Sequence, residues 1–253
     1  VAALVEPGAL SEVTRTSLIA RAGGNPLYAE QFAHMIQEAR AGELAVPETV
    51  QGIIAARLDS LPPEEKALLQ DASVVGKVFW VGAIATIGSE ARDLIEERLH
   101  ALGRKEFVRH ERRSTVAGEA QYTFRHVLIR DVAYGQIPRS ARAAKHTRAA
   151  EWIGSLPRVE DHAEMLAHHY TEALALARAS GRPAADLEAH ARRALRDAGD
   201  RAFGLNALAP AARFYEAALE HWPKDDPGYP SLAVALGRSR ADDPTLSDAL
   251  LEE

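Results

Sequence analysis

The sequence predicts a mainly α-helical protein with one small β-hairpin, and three observations lead to this fold class. Aromatic residues make up only 6% of the 253 residues, against 47% hydrophobic residues, a mixture that favours helices over a large sheet. Apolar residues recur at helical spacing through most of the chain. Only two short stretches, 106–112 and 121–125, have the pattern of strands, and a polar turn separates them.

Composition narrows the classes of function. The formal net charge of -6 excludes a generally basic nucleic-acid-binding surface, so any DNA contact would be local. The chain has no cysteine, which excludes disulfides, thiolate chemistry and cysteine-ligated zinc. No apolar run approaches the ~20 residues that a membrane span needs, so no membrane partner is expected. The chain begins with valine and lacks a signal-peptide pattern, and we expect a piece of a larger cytoplasmic protein.

Residues 11–41 predict two helices separated by Gly23-Gly24-Asn25-Pro26. Glycine commonly ends a helix and proline suits the first turn of the next one. Taken alone, these four residues indicate a helix–helix turn.

The stretch 47–137 predicts three helices followed by a hairpin, which is the order of a winged-helix domain. One amphipathic helix begins at Pro47 and runs to Leu61. A second begins at Pro62-Pro63-Glu64-Glu65 and ends at Gly76, and a third covers about 89–103. The two strands then form the wing.

Residues 138–253 predict antiparallel helical pairs, separated by prolines. Within 192–223, small, aromatic and proline residues fall where a tetratricopeptide repeat places them; these are Leu195, Gly199, Ala202, Ala211, Tyr215, Ala218 and Pro223. Small residues there let the two helices of a repeat approach closely. The last thirteen residues carry five acids and no base, and we expect them to fray or to pack against sequence outside the chain.

The segment Tyr122–Asp131 is the most informative one for function. It predicts a strand that passes into an amphipathic helix through the basic pair Arg125-His126. Such a junction is a plausible place to sense a phosphate. No Gly-x-x-x-x-Gly-Lys-Ser/Thr loop occurs in the 253 residues, so the chain has the character of the regulatory half of a nucleotide-dependent switch.

Several segments together resemble bacterial multidomain proteins that join a class III adenylate/guanylate cyclase, a STAND/AAA-type signalling ATPase and helical repeats. The resemblance covers nearly the whole chain in order and spacing. Its segments are Ile19–Gln31, Pro47–Asp59, Leu61–Gln70, Val75–Trp80, Phe124–Tyr134 and His162–Tyr170. It implies the C-terminal part of an ATPase helical lid at 1–46, a winged-helix domain at 47–137 and tetratricopeptide-like repeats at 138–253.

The resemblance also implies a nucleotide site. Gly24 and Pro26 match the Gly-x-Pro motif of the lid, whose proline packs near the bound nucleotide. His126 matches the histidine that contacts the β-phosphate in the closed, ADP-bound state, with Arg125 beside it. In the plant-type motif Met-His-Asp an acid follows the histidine, whereas Val127 follows it here; Asp131 is a candidate for the missing acid. ATP or ADP is therefore the expected cofactor of the full-length protein, and no metal is predicted from this chain.

The resemblance implies the regulatory and sensor portion of a multidomain signalling protein. The chain alone is not expected to be an enzyme, while its parent is expected to be an ATPase and a cyclase. The expected partners are the missing P-loop and cyclase domains, and a protein or small-molecule signal on the repeats. Two alternatives stay open: a helical protein-interaction scaffold without nucleotide, and a winged-helix DNA-binding regulator. DNA is disfavoured because the helix at 89–103 carries four acids.

Two further sets of residues have ordinary explanations. Arg125, Arg130 and Arg139 could stabilise phosphate or pair with acids on neighbouring helices. The group His162, Glu164, His168 and His169 suggests a metal site, but the chain lacks the His-Glu-x-x-His pattern. Helix packing is the favoured explanation for these histidines.

Overall fold

The computed structural model describes residues 25–38 and 47–241. Within them the protein is mainly α-helical with one small antiparallel sheet, as the sequence predicts. The chain divides into two compact units between Ile137 and Pro138, the position at which the repeat region was predicted to begin. The predicted helix before Gly23 and the acidic segment after Ala241 lie outside the described residues.

The first unit contains six helices and three strands within its described residues. In chain order they are α1 (Pro26–Glu38), α2 (Val50–Asp59), α3 (Pro63–Val75), β1 (Val78–Trp80), α4 (Val81–Gly88), α5 (Arg92–Arg104), β2 (Val108–His110), β3 (Gln121–Phe124) and α6 (Val127–Gly135). The order α3–β1–α4–α5–β2–β3, with β3 between β1 and β2 in the sheet, is that of a winged helix.

Two elements of this domain were missed by the sequence prediction. Strand β1 makes the predicted hairpin a three-stranded sheet, and α4 lies where no helix was expected. The three helices of the winged helix are therefore α3, α4 and α5. The predicted first helix corresponds to α2, which packs against α1 and α6.

Local sequence accounts for the ends of α2 and α3. Thr49 caps α2, with its side-chain oxygen accepting the Gly52 N–H at 3.1 Å. Pro63 opens α3 with Glu64 and Glu65 in the first turn, where acidic side chains favour the positive end of the helix. The helix ends at Gly76, as predicted. The φ of Gly76 is 148°, a backbone conformation that residues other than glycine rarely adopt.

The sheet has one apolar face and one more polar face. Thr123 pairs with Val78 on one side and with Arg109 on the other, so these three side chains share a face. The opposite face carries buried aromatic rings, with Phe79 lying 5.2 Å from Phe124 and 6.1 Å from Tyr122 between ring centroids. This apolar face forms part of the core of the unit.

Glu119, at the end of the wing turn, connects the sheet to two helices. Its carboxylate accepts the Gly82 N–H at 2.9 Å in the first turn of α4. The same carboxylate accepts two hydrogen bonds from the guanidinium of Arg92, at 2.9 and 2.7 Å. That hydrogen bonding raises the pKa of Arg92 above its usual value.

The second unit consists of helices that pack mainly on their neighbours in sequence. They are α7 (Arg139–Gly154), a short 3₁₀ helix (Val159–His162), α8 (Ala163–Ala179), α9 (Ala185–Gly204), α10 (Leu208–Glu220) and α11 (Tyr229–Ala241). Contacts join α7 to α8, α8 to α9, α9 to α10 and α10 to α11. The residues predicted at repeat positions within α9 and α10 are buried, including Ala202, Ala211 and Tyr215, whereas Pro223, after α10, is exposed. Such one-dimensional packing is typical of helical repeats.

In the part of the chain that the structure describes, no helix combines the length and the apolar character needed to cross a membrane.

Candidate functional site

A polar cavity of about 220 Å³ lies in the first unit, between the first turns of α1 and one end of the sheet. It brings together residues from α1 and from the strand-to-helix junction, which are far apart in sequence. The lining residues are Leu27, Glu30, Gln31, Lys77, Arg109, Thr123, Phe124, Arg125 and His126. Arg125 and His126, both singled out from the sequence, thus lie on its wall.

His126 is placed by a helix cap. It is the residue before α6, with extended backbone angles of φ -140° and ψ 144°, and its Nδ1 accepts the backbone N–H of Leu128 at 3.1 Å. A nitrogen that accepts a hydrogen bond cannot carry a proton, so the proton of a neutral ring lies on Nε2. The cap therefore fixes the tautomer of His126 and makes Nε2–H a donor.

No protein partner for the Nε2 atom of His126 is found among the described residues. The acid suggested from the sequence, Asp131, instead pairs with Arg130, its Oδ1 lying 3.1 Å from the Arg130 Nη1. A backbone N–H, rather than a carboxylate, thus orients the imidazole. The sequence could have shown this, since position 126 directly precedes an amphipathic helix and caps accept from the second or third following N–H.

Arg125 is partly neutralised by an acid at the rim of the cavity. Its guanidinium lies 2.5 Å from Oε2 of Glu106. Glu106 has a φ of 60°, in the left-handed region that residues other than glycine and asparagine rarely adopt. Glu106 lies in the turn between α5 and β2. The carbonyl of the next residue, Phe107, accepts the Arg125 N–H at 3.0 Å. Arg125 is therefore committed first to an ion pair.

Residues of α1 occupy the other wall. Pro26 is the exposed first residue of α1, and the Asn25 side chain caps this helix by accepting the Leu27 N–H at 3.0 Å. Pro26 does not line the cavity itself, whereas the adjoining Leu27 does. Gly24 lies outside the described residues. The predicted residues Arg125 and His126 thus share the cavity with Leu27, Glu30 and Gln31 of α1 and not with Pro26.

A buried cation holds Gln31 in the wall. Arg57 is 1% exposed and donates to the Gln31 side-chain oxygen and, at 2.7 Å, to the Lys105 carbonyl. Its guanidinium also lies 4.3 Å from the ring centre of Phe107. Arg57 therefore connects α1 to the turn after α5. The helical stripe of α2 did not reveal this role, because an arginine in such a stripe normally points to solvent.

Seven of the nine lining residues were not predicted as site residues from the sequence, and Gln31, Lys77 and Arg109 are among them. Lys77 precedes β1, the strand that was missed, and Arg109 is the middle residue of β2. Lys77 and Arg109 are both exposed and lie at the rim of the cavity. Local sequence does not reveal them, because it is the pairing of β3 with both β1 and β2 that brings the two cations to the same end of the sheet.

The histidines of the second unit form a packing cluster. His169 is buried in α8 and its Nδ1 lies 3.0 Å from Nδ1 of His146 in α7. His168 and Glu164, considered from the sequence as metal ligands, are exposed. Among the described residues no group of three or more histidine, aspartate or glutamate side chains is arranged to hold a metal ion.

In α5, the helix in the position of a DNA-recognition helix, two of the three arginines pair with acids, and the third, Arg104, is exposed. Arg92 pairs with Glu119 and Arg98 pairs with Glu90. Lys105, just after the helix, pairs with Glu65 at 2.7 Å.

Comparison with known protein families, with curated proteins and with solved structures gives no match to this chain. Its function is therefore inferred from these residues and their geometry.

Proposed function

We propose that this chain is the regulatory portion of a cytoplasmic STAND-type ATPase, of the kind fused to a nucleotide cyclase. ATP or ADP would bind between the cavity and a P-loop domain that is not part of the 253 residues. The chain would sense which nucleotide is present, and the helices of the second unit would receive a protein or small-molecule signal. This chain alone would neither hydrolyse ATP nor make a cyclic nucleotide.

The observation that carries the proposal is the meeting of two distant segments at one cavity. The segment beginning at Pro26 and the junction at Arg125-His126 were both linked to nucleotide by resemblance. Leu27, Glu30 and His126 lie on the wall of the same cavity, and a helix-packing role alone does not require that.

The tautomer of His126 supports a specific mechanism. Its Nε2–H can donate to a phosphate oxygen while Nδ1 keeps the helix cap. The ring does not need to be protonated for this, because a neutral imidazole already presents one donor. A hydrogen bond to a charged group contributes about 1.5–3 kcal/mol, which corresponds to roughly 10–200-fold in affinity. Such a contact could bias a two-state switch when it forms in only one nucleotide state.

The second unit supports the signalling part of the proposal. Its helices pack one on the next, an arrangement that leaves long faces available for partners. The same observation favours the second candidate, a scaffold that binds proteins without nucleotide. The two differ in whether the cavity of the first unit has a ligand. The DNA alternative gains no support, since Arg92 and Arg98 of α5, and Lys105 after it, are paired with acids.

The test uses the full-length gene product and two substitutions at one position. His126→Asn keeps a side-chain acceptor for the Leu128 N–H but removes the Nε2 donor. His126→Ala removes both and should cost about 0.5–2 kcal/mol of stability through the lost cap. We expect His126→Asn to fold normally, to weaken ADP binding by about tenfold or more and to raise basal ATPase output.

Unchanged ADP affinity and ATPase output in His126→Asn would remove His126 from the mechanism. A gene product without a P-loop upstream of these residues would instead favour the scaffold. Turnover of ATP by the pure 253-residue chain would also contradict the proposal, which holds that this chain alone does not hydrolyse ATP.

A further inference from the structure

We propose that Lys77 and Arg109, together with the Nε2–H of His126, form a subsite in this cavity for the terminal phosphates of a nucleoside diphosphate. The inference rests on the proposed function and adds two cations that sequence reasoning did not single out. Lys77 is the main cation of the subsite, and Arg109 assists it.

The backbone of Lys77 is fixed at the cavity rim. Its carbonyl accepts the Phe124 N–H at 3.0 Å and the Thr123 hydroxyl at 3.2 Å. The preceding Gly76 turns the chain sharply out of α3, with its φ of 148°. The side chain thus starts from a defined point, and only its flexible stem has to be ordered when a ligand binds.

Lys77 differs from its neighbours in having no acidic partner among the described residues. Arg109 lies 2.8 Å from Oε1 of Glu111, and Arg125 lies 2.5 Å from Oε2 of Glu106. Each arginine is therefore partly neutralised. The ammonium of Lys77 is the uncompensated positive charge of the wall.

The charges that line the cavity favour an anion. Three cations, on Lys77, Arg109 and Arg125, line the cavity with one carboxylate, that of Glu30; the acids paired with the two arginines, Glu111 and Glu106, are not among the lining residues. Glu30 lies at the α1 wall, where its nearest basic group is Nε2 of His34 at 3.9 Å. The anion would bind at the sheet side of the cavity, because the cations and His126 are there. Excess positive charge in a concave site raises the local concentration of anions.

The size of the cavity indicates which part of a nucleotide enters it. Its volume of about 220 Å³ is below the range of pockets that enclose whole drug-sized ligands, roughly 300–1,000 Å³. A diphosphate group is compact and strongly charged, whereas a base and ribose need additional space. A compact ammonium next to β1 and a planar guanidinium on β2, the two strands that flank β3, can neutralise two phosphates in a row.

The experiment uses inorganic pyrophosphate and the complete 253-residue chain. Titration followed by amide NMR should give saturable shifts at residues 77, 109 and 126–128. Lys77→Gln should weaken binding by about tenfold or more, because one charge-assisted contact is lost. Lys77→Arg should retain most of the affinity. ADP should displace pyrophosphate, and adenosine should not.

Lys224→Gln is the matched control, since Lys224 is an exposed lysine of the second unit. It should bind pyrophosphate as the unchanged chain does. Absence of saturable binding by the unchanged chain would overturn the inference, as would equal weakening by Lys77→Gln and Lys224→Gln, which would indicate general attraction of an anion only. Displacement by phosphoserine but not by ADP would also overturn it, by assigning the site to phosphorylated protein.

The two proposals fail separately. Loss of ADP affinity in full-length His126→Asn, with Lys77→Gln behaving normally, would sustain the proposed function and reject the subsite. Pyrophosphate binding that depends on Lys77, with full-length His126→Asn unaffected, would sustain an anion site and reject the nucleotide switch.

Discussion

The ring of Tyr215 occupies the space that a side chain at position 199 would need. A Cβ atom built on Gly199 would lie 2.5 Å from Cε1 and 2.6 Å from Cδ1 of Tyr215. The phenol hydroxyl of the same ring donates to Oδ1 of Asp200 at 2.8 Å, so two constraints hold the ring. Helices α9 and α10 approach closely because position 199 carries no side chain.

We therefore expect Gly199→Ala to destabilise the second unit by about 1–3 kcal/mol or more, the cost of forcing extra atoms into a packed interface. Gly204→Ala is the matched control, since Gly204 ends the same helix and has open space around its Cα. That change should be neutral or stabilising by up to about 1 kcal/mol. Amide hydrogen exchange in α9 and α10 measures both effects. Equal protection in the two variants would show that the ring moves aside at no cost.

The pair Tyr215–Asp200 predicts a loss of stability in alkali. Burial, and secondly the hydrogen bond to Asp200, raise the pKa of Tyr215 above its usual value. The folded chain therefore keeps this proton at a pH where the unfolded chain has released it. The stabilisation is complete below the ordinary tyrosine pKa of about 10 and declines as the pH rises above it.

Tyr215→Phe removes the titrating hydroxyl while keeping the ring that packs on Gly199. We expect its free energy of unfolding to fall less steeply above pH ~10 than that of the unchanged chain. Denaturant unfolding at pH 8 and at higher pH gives the comparison. Parallel pH dependences in the two proteins would contradict the prediction, because other tyrosines contribute equally to both.

Arg57 and Gln31 should be energetically coupled. Both side chains are at most 2% exposed, and the guanidinium donates to the amide oxygen between α2 and α1. A double-mutant cycle with Arg57→Met and Gln31→Met should give a coupling of about 1–3 kcal/mol, in the range of contacting buried groups. The control cycle uses the exposed pair Lys66–Asp59, whose coupling should stay below about 1 kcal/mol. Similar values for the two cycles would mean that burial adds nothing to the Arg57 contact.

The buried imidazoles of His146 and His169 should depend on each other. Their Nδ1 atoms lie 3.0 Å apart, so one ring donates and the other accepts. His169→Leu should destabilise the second unit by about 1–3 kcal/mol, because a buried polar atom of His146 loses its partner. His168→Leu, an exposed neighbour on the same helix, should have little effect.

A double substitution checks the cause of that loss. Replacing both His146 and His169 by leucine removes both polar rings at once, and we expect much of the lost stability to return. Calorimetric unfolding of the single and double variants provides the measurement. If the double variant loses as much free energy of unfolding as the two single variants together, or more, the rings matter through packing rather than through their hydrogen bond.

The fold class could be predicted from the sequence because the apolar residues of long amphipathic helices recur at a clear helical spacing. The end of α3 at Gly76 was confirmed for the same reason, since a proline, two acids and a glycine mark its limits. Helix α4 was missed because five of its eight residues are buried, so it has no polar face to set a period. Strand β1 was missed because three residues are too few to alternate.

The candidate site was predictable only in part. His126 and Arg125 could be singled out because strand pattern changes to helix pattern at that point. Lys77 and Arg109 could not, because what places them together is the pairing of β3 with both β1 and β2. The burial of Arg57 was equally invisible, since it depends on a carbonyl after α5 that no local pattern reveals.

The cap at His126 restricts which residues can replace it. Serine, threonine, asparagine or aspartate could each satisfy the Leu128 N–H and begin α6 equally well. None of these short side chains presents a second nitrogen on the far side of a rigid ring. Among descendants of a common ancestor, a position that only started a helix would drift among these four residues. A position that also reads a phosphate would stay imidazole, so the pattern of replacement at this one site separates the two roles.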